Sequence, residues 1–480
     1  MNREDTQTTQ AERLAYGLYF VGQNMIYLFV ANYLQNYFTD VVGMAAGTVA
    51  IIFLLARIWD SVNDPLFGVI VDRSRLKGGR FLPWLRVSNY LIPLTTILLF
   101  CVPYTWPLQV KTLFCAFFYI LWDMAFTLCD VPAHSLPTAM TSNINERTAL
   151  TARGRFFSVF GILTVMLLTV PLVNVFTGAG SNVPVAWLLV SVLFSVVAFA
   201  FMFRLGRVAQ ERCIDQESEP LSARDMLAYI KGNKYLLIFY GALIIATLTN
   251  TTTALLLYFA NVNLGNSNLY VPLVAVFMIG SPLVSLSLAK INKRVDKYAI
   301  FMFGLALNIV ASVATYFVGY EGDRFVPFLI LCAVKGVGVS CSTVMSFMFA
   351  SDCVEYGTYV SGVRAEGITF AIQTFTIKLT GAVSGFVAMG LLGWLFNYQS
   401  AYYVGSTLIT PQQPESVARG IWILLSVFPA VGALAAFLIL LFFYRLRDKD
   451  VQIAADVNSG KITREQGETL LKKTMGSRKW

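Results

Sequence analysis

Hydrophobic positions along this chain fall into long, nearly continuous apolar blocks, and polar positions gather in the short stretches between them. A helix needs about 20 mostly apolar residues to cross the hydrocarbon core of a bilayer. Twelve blocks meet that length, at residues 14–38, 45–71, 83–103, 107–138, 155–178, 183–203, 235–260, 270–290, 298–319, 326–353, 367–397 and 420–444. Their continuity predicts helices, because a membrane barrel would show alternation in segments of about ten residues. The longest connection, residues 206–234, divides the blocks six and six, and within it Ser222-Ala-Arg-Asp225 reads as a capping box opening a short helix over 226–230. The pattern therefore predicts an all-α integral membrane protein. It has an N-terminal six-helix bundle over 1–205, a middle loop over 206–234, a second six-helix bundle over 235–446 and a tail over 447–480. Thr463-Arg-Glu-Gln466 predicts one more helix start in the tail, as a second capping box.

Composition agrees: 56% of the 480 residues are hydrophobic and 13% charged, where a soluble protein has about 25% charged. The net charge of +9 does not indicate nucleic acid, because the basic residues mark topology. Arg73, Arg75, Lys77 and Arg80 follow block 2, Arg147 and Arg153 follow block 4, and Lys293, Arg294 and Lys297 follow block 8, against Lys111, Arg324 and Arg419 on the other side. Lys and Arg concentrate in cytoplasmic loops, which predicts both termini in the cytoplasm of a multi-pass plasma (inner) membrane protein. No cleavable leader is expected, since residues 1–12 are polar and block 1 is too long for one. The seven cysteines form no CxxC pair and His134 is the single histidine, so neither a disulfide framework nor a resident metal cofactor is expected. No paired nucleophile and base points to an enzyme.

In such a chain the buried ionisable groups are the candidate functional residues, because each is costly in the bilayer interior. Block 2 contains Arg57-Ile-Trp-Asp60-Ser-Val-Asn63-Asp64-Pro65. Asp60 and Asp64 are one turn apart, about 40° around a helix, and two close carboxylates favour a cation or a proton between them. Asn63 adds a neutral oxygen, and Na⁺ and H⁺ both suit the set. The alternative is a buried ion pair between Asp60 and Arg57. Block 4 places Asp123, Phe126, Thr127, Asp130 and His134 on one stripe. Two acids, a hydroxyl, an aromatic ring and an imidazole on one stripe suit a sugar, whose hydroxyls donate to acids and whose C–H face packs on a ring. For His134 a structural role, and for Asp123 a solvated position near the membrane boundary, are equally open. Block 11 holds Lys378 one turn after Thr374; it needs a carboxylate partner unless it snorkels to the interface. Asn24 in block 1 and Lys335 in block 10, beside Gly336 and Gly338, read first as packing groups.

Several of these runs together resemble one family. Tyr37-Phe-Thr-Asp40-Val-Val-Gly43, the block 2 run, Gly79-Arg80-Phe-Leu-Pro83-Trp84, Asp130-Val-Pro132, Glu146-Arg147, Arg155-Phe-Phe157, Asp352-Cys-Val-Glu355-Tyr-Gly357 and Gln373-Thr374 with Lys378 are similar to the glycoside–pentoside–hexuronide cation symporters of the major facilitator superfamily. The resemblance implies the major facilitator fold, two pseudo-symmetric six-helix bundles. It implies cation binding by Asp60, Asp64, Asn63 and Thr127, with Asp60 and Asp64 holding the metal ion if sodium is the coupling ion. It implies Asp130 as a sugar-binding acid, Arg155 beside the sugar pocket, Lys378 with Thr374 near the ion site, and Arg147, Asp352, Glu355 and Arg364 as gating residues. The sugar pocket departs from the family: its block 1 aspartate falls on Asn24, its block 4 tyrosine on Phe126 and a following tryptophan on His134, while Asp123 is an added acid.

The resulting expectation is a secondary active transporter, a functional monomer in the lipid bilayer. It would carry a glycoside, pentoside or hexuronide with Na⁺ or H⁺ by alternating access and without a cofactor. Loss of the acid at position 24 would favour an anionic hexuronide, with Arg155 or His134 as counter-charge; Asp123 argues for a neutral glycoside. A lipid or drug carrier on the same fold is the alternative.

Overall fold

A computed structural model describes residues 8–73, 78–141, 143–212, 231–292, 294–362, 366–404 and 407–476. The capping box at 222–225 with its helix over 226–230, and the basic residues Arg75, Lys77 and Lys293, lie outside the described residues.

Every predicted apolar block is helical. In chain order the helices are α1 (Gln10–Asn36), α2 (Ala46–Arg73), α3 (Leu82–Leu99), α4 (Leu108–Met140), α5 (Ile144–Gly178), α6 (Val183–Phe203), α7 (Leu205–Val208), α8 (Lys234–Leu248), α9 (Thr252–Tyr258), α10 (Tyr270–Met278), α11 (Gly280–Ile291), α12 (Lys297–Val318), α13 (Phe325–Ser361), α14 (Glu366–Gly390), α15 (Glu415–Phe443), α16 (Asp448–Asn458) and α17 (Arg464–Gly476). A short antiparallel hairpin, β1 (Tyr402–Val404) and β2 (Thr407–Ile409), precedes α15. Block 7 is split between α8 and α9, and block 8 between α10 and α11. At the second break the chain runs close against α13: a Cβ on Gly280 would stand 2.5 Å from the Val337 nitrogen, so backbone meets backbone there.

Among the described residues, eight spans are long and apolar enough by themselves to cross a membrane. Blocks 2, 3, 8 and 11 are not among those eight. Both α2 and α14 contain residues whose side chains are outside the described set, the break divides block 8, and α3 is only 18 residues long with Arg86 inside it.

The described residues form two compact units, Met1–Glu217 with Met389–Val417, and Ser218–Ala388 with Ala418–Trp480. In the first, α1 packs against α5 and α6, α3 against α4 and α6, and α2 against α4. Two glycines permit the close crossings. A Cβ on Gly161 of α5 would lie 2.3 Å from the Val21 carbonyl oxygen, and one on Gly22 of α1 would lie 2.6 Å from that of Ala198 in α6. An aromatic core fills one end, with the Phe100 and Trp187 rings 6.1 Å apart and nearly parallel, and Phe29 4.6 Å from Phe100.

Residues Met389–Val417, which the sequence assigns to the second bundle, pack with this first unit. After α1 the chain makes a π-helical turn, Tyr37–Val42, whose final carbonyls need outside donors. The Ala401 N–H donates to Thr39 O (3.2 Å) and the Tyr403 hydroxyl to Val41 O (2.8 Å). The Tyr398 hydroxyl donates to Asp40 at 2.6 Å, and the Lys111 ammonium lies 4.4 Å over the Tyr403 ring.

At the other end of this unit Glu146 collects the N-terminal strand. Its carboxylate accepts from the Thr8 N–H (2.7 Å), the Thr8 hydroxyl, the Thr141 hydroxyl (2.7 Å) and Arg13 (2.8 Å). Burial pushes this carboxyl up, but the bonds from Thr8, Thr141 and Arg13 outweigh it and hold it at about 2, below its usual 4.5. A carboxyl depressed on folding stabilises above its unfolded value and loses that contribution as pH falls through the folded value. Thermal melting of the purified protein is expected to show wild type more stable than Glu146→Gln at neutral pH by up to about 3 kcal/mol. The gap should close between pH 4.5 and about 2; a gap independent of pH would refute this role.

The second unit is built on α12 and α13 lying side by side, with Phe239 stacked 4.7 Å from Phe349 in its core. Lys335 is 2% exposed, and its ammonium donates to the Leu425 carbonyl of α15 at 2.6 Å. The reason is Pro429, four residues on, which has no N–H to close that helical bond. Thr463 and Gln466 exchange bonds in the tail capping box, Gln466 N–H to Thr463 at 3.3 Å and Thr463 N–H to Gln466 at 3.1 Å, and α17 begins there.

Candidate functional site

The polar groups of the first unit converge on one face of α4. Toward α2, Asn63 donates to the Thr127 hydroxyl at 3.1 Å, and Thr127 donates back to the Asp123 carbonyl of its own helix at 3.2 Å. One turn earlier on α2, Asp60 is 5% exposed and its carboxylate meets Arg57 at 3.4 Å. The same guanidinium lies in the field of Asp123, Tyr27 and Tyr119. Asp123, at 4% exposed, is therefore not a solvated boundary residue. It is a second buried acid on the Arg57 side, and the ion pair that the sequence offered as an alternative is present.

Toward α1, the Gln23 amide donates to Asp130 at 2.9 Å, and the His134 imidazole stands 3.5 Å from the same carboxylate. His134 remains more than half exposed, with its ring 5.2 Å from Phe20. Phe126 lies between, 4.9 Å from Tyr27 and 5.5 Å from Trp122, whose indole is anchored on Thr96 at 3.0 Å. Asn24 does not reach across. Its amide donates to Phe20 O on its own helix at 3.0 Å, so position 24 serves α1 and the neighbouring Gln23 reaches α4. Gln23 and Tyr27 are site residues that the sequence expectation does not include. The signal was present: Phe20, Gln23, Asn24 and Tyr27 follow the i, i+3, i+4, i+7 spacing of one helix face.

The remaining predicted residues are dispersed. Arg155 is exposed on α5. Arg147 caps the end of α4, donating to Thr141 O at 2.7 Å and Thr138 O at 3.2 Å. In the second unit Asp352 is bound by Lys297 at 2.5 Å, and Glu355 accepts from Asn458 of α16 at 3.1 Å. Asp64, Thr374 and Lys378 sit on α2 and α14, but their side chains are outside the described set, and Arg364 is outside the described residues altogether. The side chains that are described offer a carboxylate, an amide oxygen and a hydroxyl from α2 and α4, hard oxygen donors of the kind that bind Na⁺, and the carboxylate alone would accept H⁺.

The family described as MFS/sugar transport protein matches residues 15–448. The chain belongs to that family. It is thus a multi-pass membrane transporter and not an enzyme. Family members with similar sequences include an uncharacterized symporter, YjmB, of Bacillus subtilis (27% identical, covering 93% of this chain and 95% of the relative). They also include a glucuronide carrier protein homolog of Escherichia coli (27%, 94% and 96%) and an isoprimeverose transporter of Lactiplantibacillus pentosus (26%, 82% of each). Solved structures agree on the fold. A proton-dependent oligopeptide transporter superposes with a TM-score of 0.64 at 11% identity, over 90% of this chain and 98% of its own. The nucleoside transporter NupG gives 0.61 at 12%, over 91% and 100%. The architecture is that of the major facilitator transporters.

Proposed function

We propose that this transporter is a cation-coupled symporter of a glycoside, pentoside or hexuronide, working by alternating access with Na⁺ or H⁺ as the coupling ion. In this reading it sits in the plasma (inner) membrane with both termini cytoplasmic. The observation that carries the reading is the division of labour along α4. Its Asp123–Thr127 turn is joined to the Arg57, Asp60 and Asn63 set of α2, and its Asp130–His134 turn to Gln23 of α1. A cation arriving at Asp60 meets a resident guanidinium at 3.4 Å. Its binding redistributes charge one helical turn from Asn63, which donates to Thr127, and α4 carries that change to Asp130. An ion site and a sugar site on one rigid helix satisfy the requirement that coupling be a free energy shared by two sites.

For the substrate, Asp130 accepts from a sugar hydroxyl, the Gln23 amide orients the acid, and Arg155, whose field reaches Tyr16 where the tyrosine hydroxyl donates to Ala133 O of α4, supplies positive charge to a uronate. Relatives named as a glucuronide carrier homolog and a sulfoquinovose importer support an acidic sugar. The test is uptake into vesicles of a panel of neutral glycosides and uronides, with external pH and Na⁺ varied independently. Sugar-induced alkalinisation, or Na⁺-stimulated uptake, is the expected result, with uronides preferred. Uptake indifferent to both ions overturns the coupling, and exclusion of uronides overturns the substrate assignment.

A further inference from the structure

One end of the second unit holds a recess that the transport reading does not use. Its volume is about 780 Å³, and its walls come from the start of α8, the ends of α13 and α15, and the tail helix α17. That size is typical of sites for small ligands. Three basic side chains stand around it, Lys234, Arg445 and Lys472, against one lining carboxylate, Glu468, which is 4.0 Å from Lys472. The apolar side is formed by Phe442 and Phe443, 51% and 62% exposed in the last turn of a membrane-crossing helix. Two further candidate crossings, Lys234–Asn263 and Gly322–Ser361, begin or finish at the same recess. The tail helix is held in place as its outer wall: the Tyr235 hydroxyl donates to the Met475 sulfur at 3.9 Å, and Arg464 lies 5.9 Å over the Tyr359 ring.

We propose that this recess binds one acidic phospholipid of the adjoining leaflet, with its phosphate among Lys234, Arg445 and Lys472 and its acyl chains along Phe442 and Phe443. Two features select a lipid over a soluble anion. The lysines are exposed, Lys472 with 83% of its side chain in solvent, and exposed lysines alone hold a free phosphate weakly. Exposed Phe442 and Phe443, three and two residues before Arg445, place acyl-chain surface and headgroup charge together, the arrangement basic pockets at membrane boundaries use for anionic headgroups. Because the tail helix closes the site, an occupied recess ties α17 to the ends of three membrane-spanning segments. The proposal does not depend on which sugar or ion is carried.

The experiment is native mass spectrometry of the full-length protein in neutral detergent with equal amounts of phosphatidylglycerol and phosphatidylcholine of matched chains. Wild type is expected to retain phosphatidylglycerol over phosphatidylcholine by about tenfold or more. The variant Lys234→Gln/Arg445→Gln/Lys472→Gln should lose that preference, while Lys449→Gln/Lys461→Gln, exposed tail lysines outside the recess, should keep it. Met475→Trp, which fills the recess without removing charge, gives a second reading if the triple variant has no melting transition; it too should lose retention. Equal retention of the two lipids by wild type overturns the proposal. So does a preference that survives Met475→Trp, or displacement of the lipid by millimolar inorganic phosphate.

Discussion

Replacing Asp60 with cysteine is expected to abolish cation-driven accumulation while leaving measurable sugar binding. Asp60 is the buried carboxylate of α2 whose partner is Arg57, at 3.4 Å. Without the acid, a coupling cation loses the only negative charge described there on α2 and faces the guanidinium directly. Coupling between two sites typically amounts to about 1–3 kcal/mol, or 5- to 150-fold in affinity, and removing one partner removes all of it. In membrane vesicles with an imposed ion gradient, the inside-to-outside sugar ratio should fall to about 1, the limit of facilitated diffusion. Cation-dependent enhancement of sugar binding, measured on the same preparation, should vanish with it. Because Asp123 also lies in the field of Arg57, the guanidinium keeps a carboxylate and the variant should still fold. Full active accumulation by Asp60→Cys would remove Asp60 from the ion site.

The largest expected effect on stability is at Gly161. A Cβ there would lie 2.3 Å from the Val21 carbonyl oxygen and 3.1 Å from the Met25 nitrogen, so both obstacles are backbone and neither can rotate aside. Gly161→Leu must push α5 away from α1. Overpacking of a tight interior costs about 1–3 kcal/mol and sometimes more, and a whole helix contact is at stake, so a loss of about 3 kcal/mol or more is expected. The melting temperature of purified protein checks it, with Gly178→Leu as control, where a Cβ meets nothing within 4 Å. Equal melting of the two variants would show that α1 and α5 do not depend on this approach.

These two positions differ in how far the chain alone discloses them. Asp60 is conspicuous in the sequence because it interrupts an apolar block, and its spacing from Asn63 and Asp64 already places them on one face. Gly161 is inconspicuous, one glycine among the 34 in the chain, and only the crossing of α1 and α5 gives it importance. The block 1 polar pair shows the same limit. Gln23 and Asn24 are adjacent, and the family pattern drew attention to Asn24. The rotation of α1 about its axis, set by its contacts with α5 and α6, turns Gln23 toward Asp130 and leaves Asn24 bonded to Phe20.

By itself the sequence determined that the chain is helical and membrane-spanning and where its apolar blocks lie. It also singled out the few ionisable groups inside them as candidates for function. Those are local properties: hydrocarbon tolerates only long apolar helices, and any charge within them stands out. The tertiary structure decided the partners. It buried Asp123 beside the Arg57 guanidinium, supplied Lys335 to the carbonyl freed by Pro429, and drew residues 389–417 onto the turn after α1. Each of those outcomes depends on which helix faces arrive together, and no residue's own neighbours in the chain encode that.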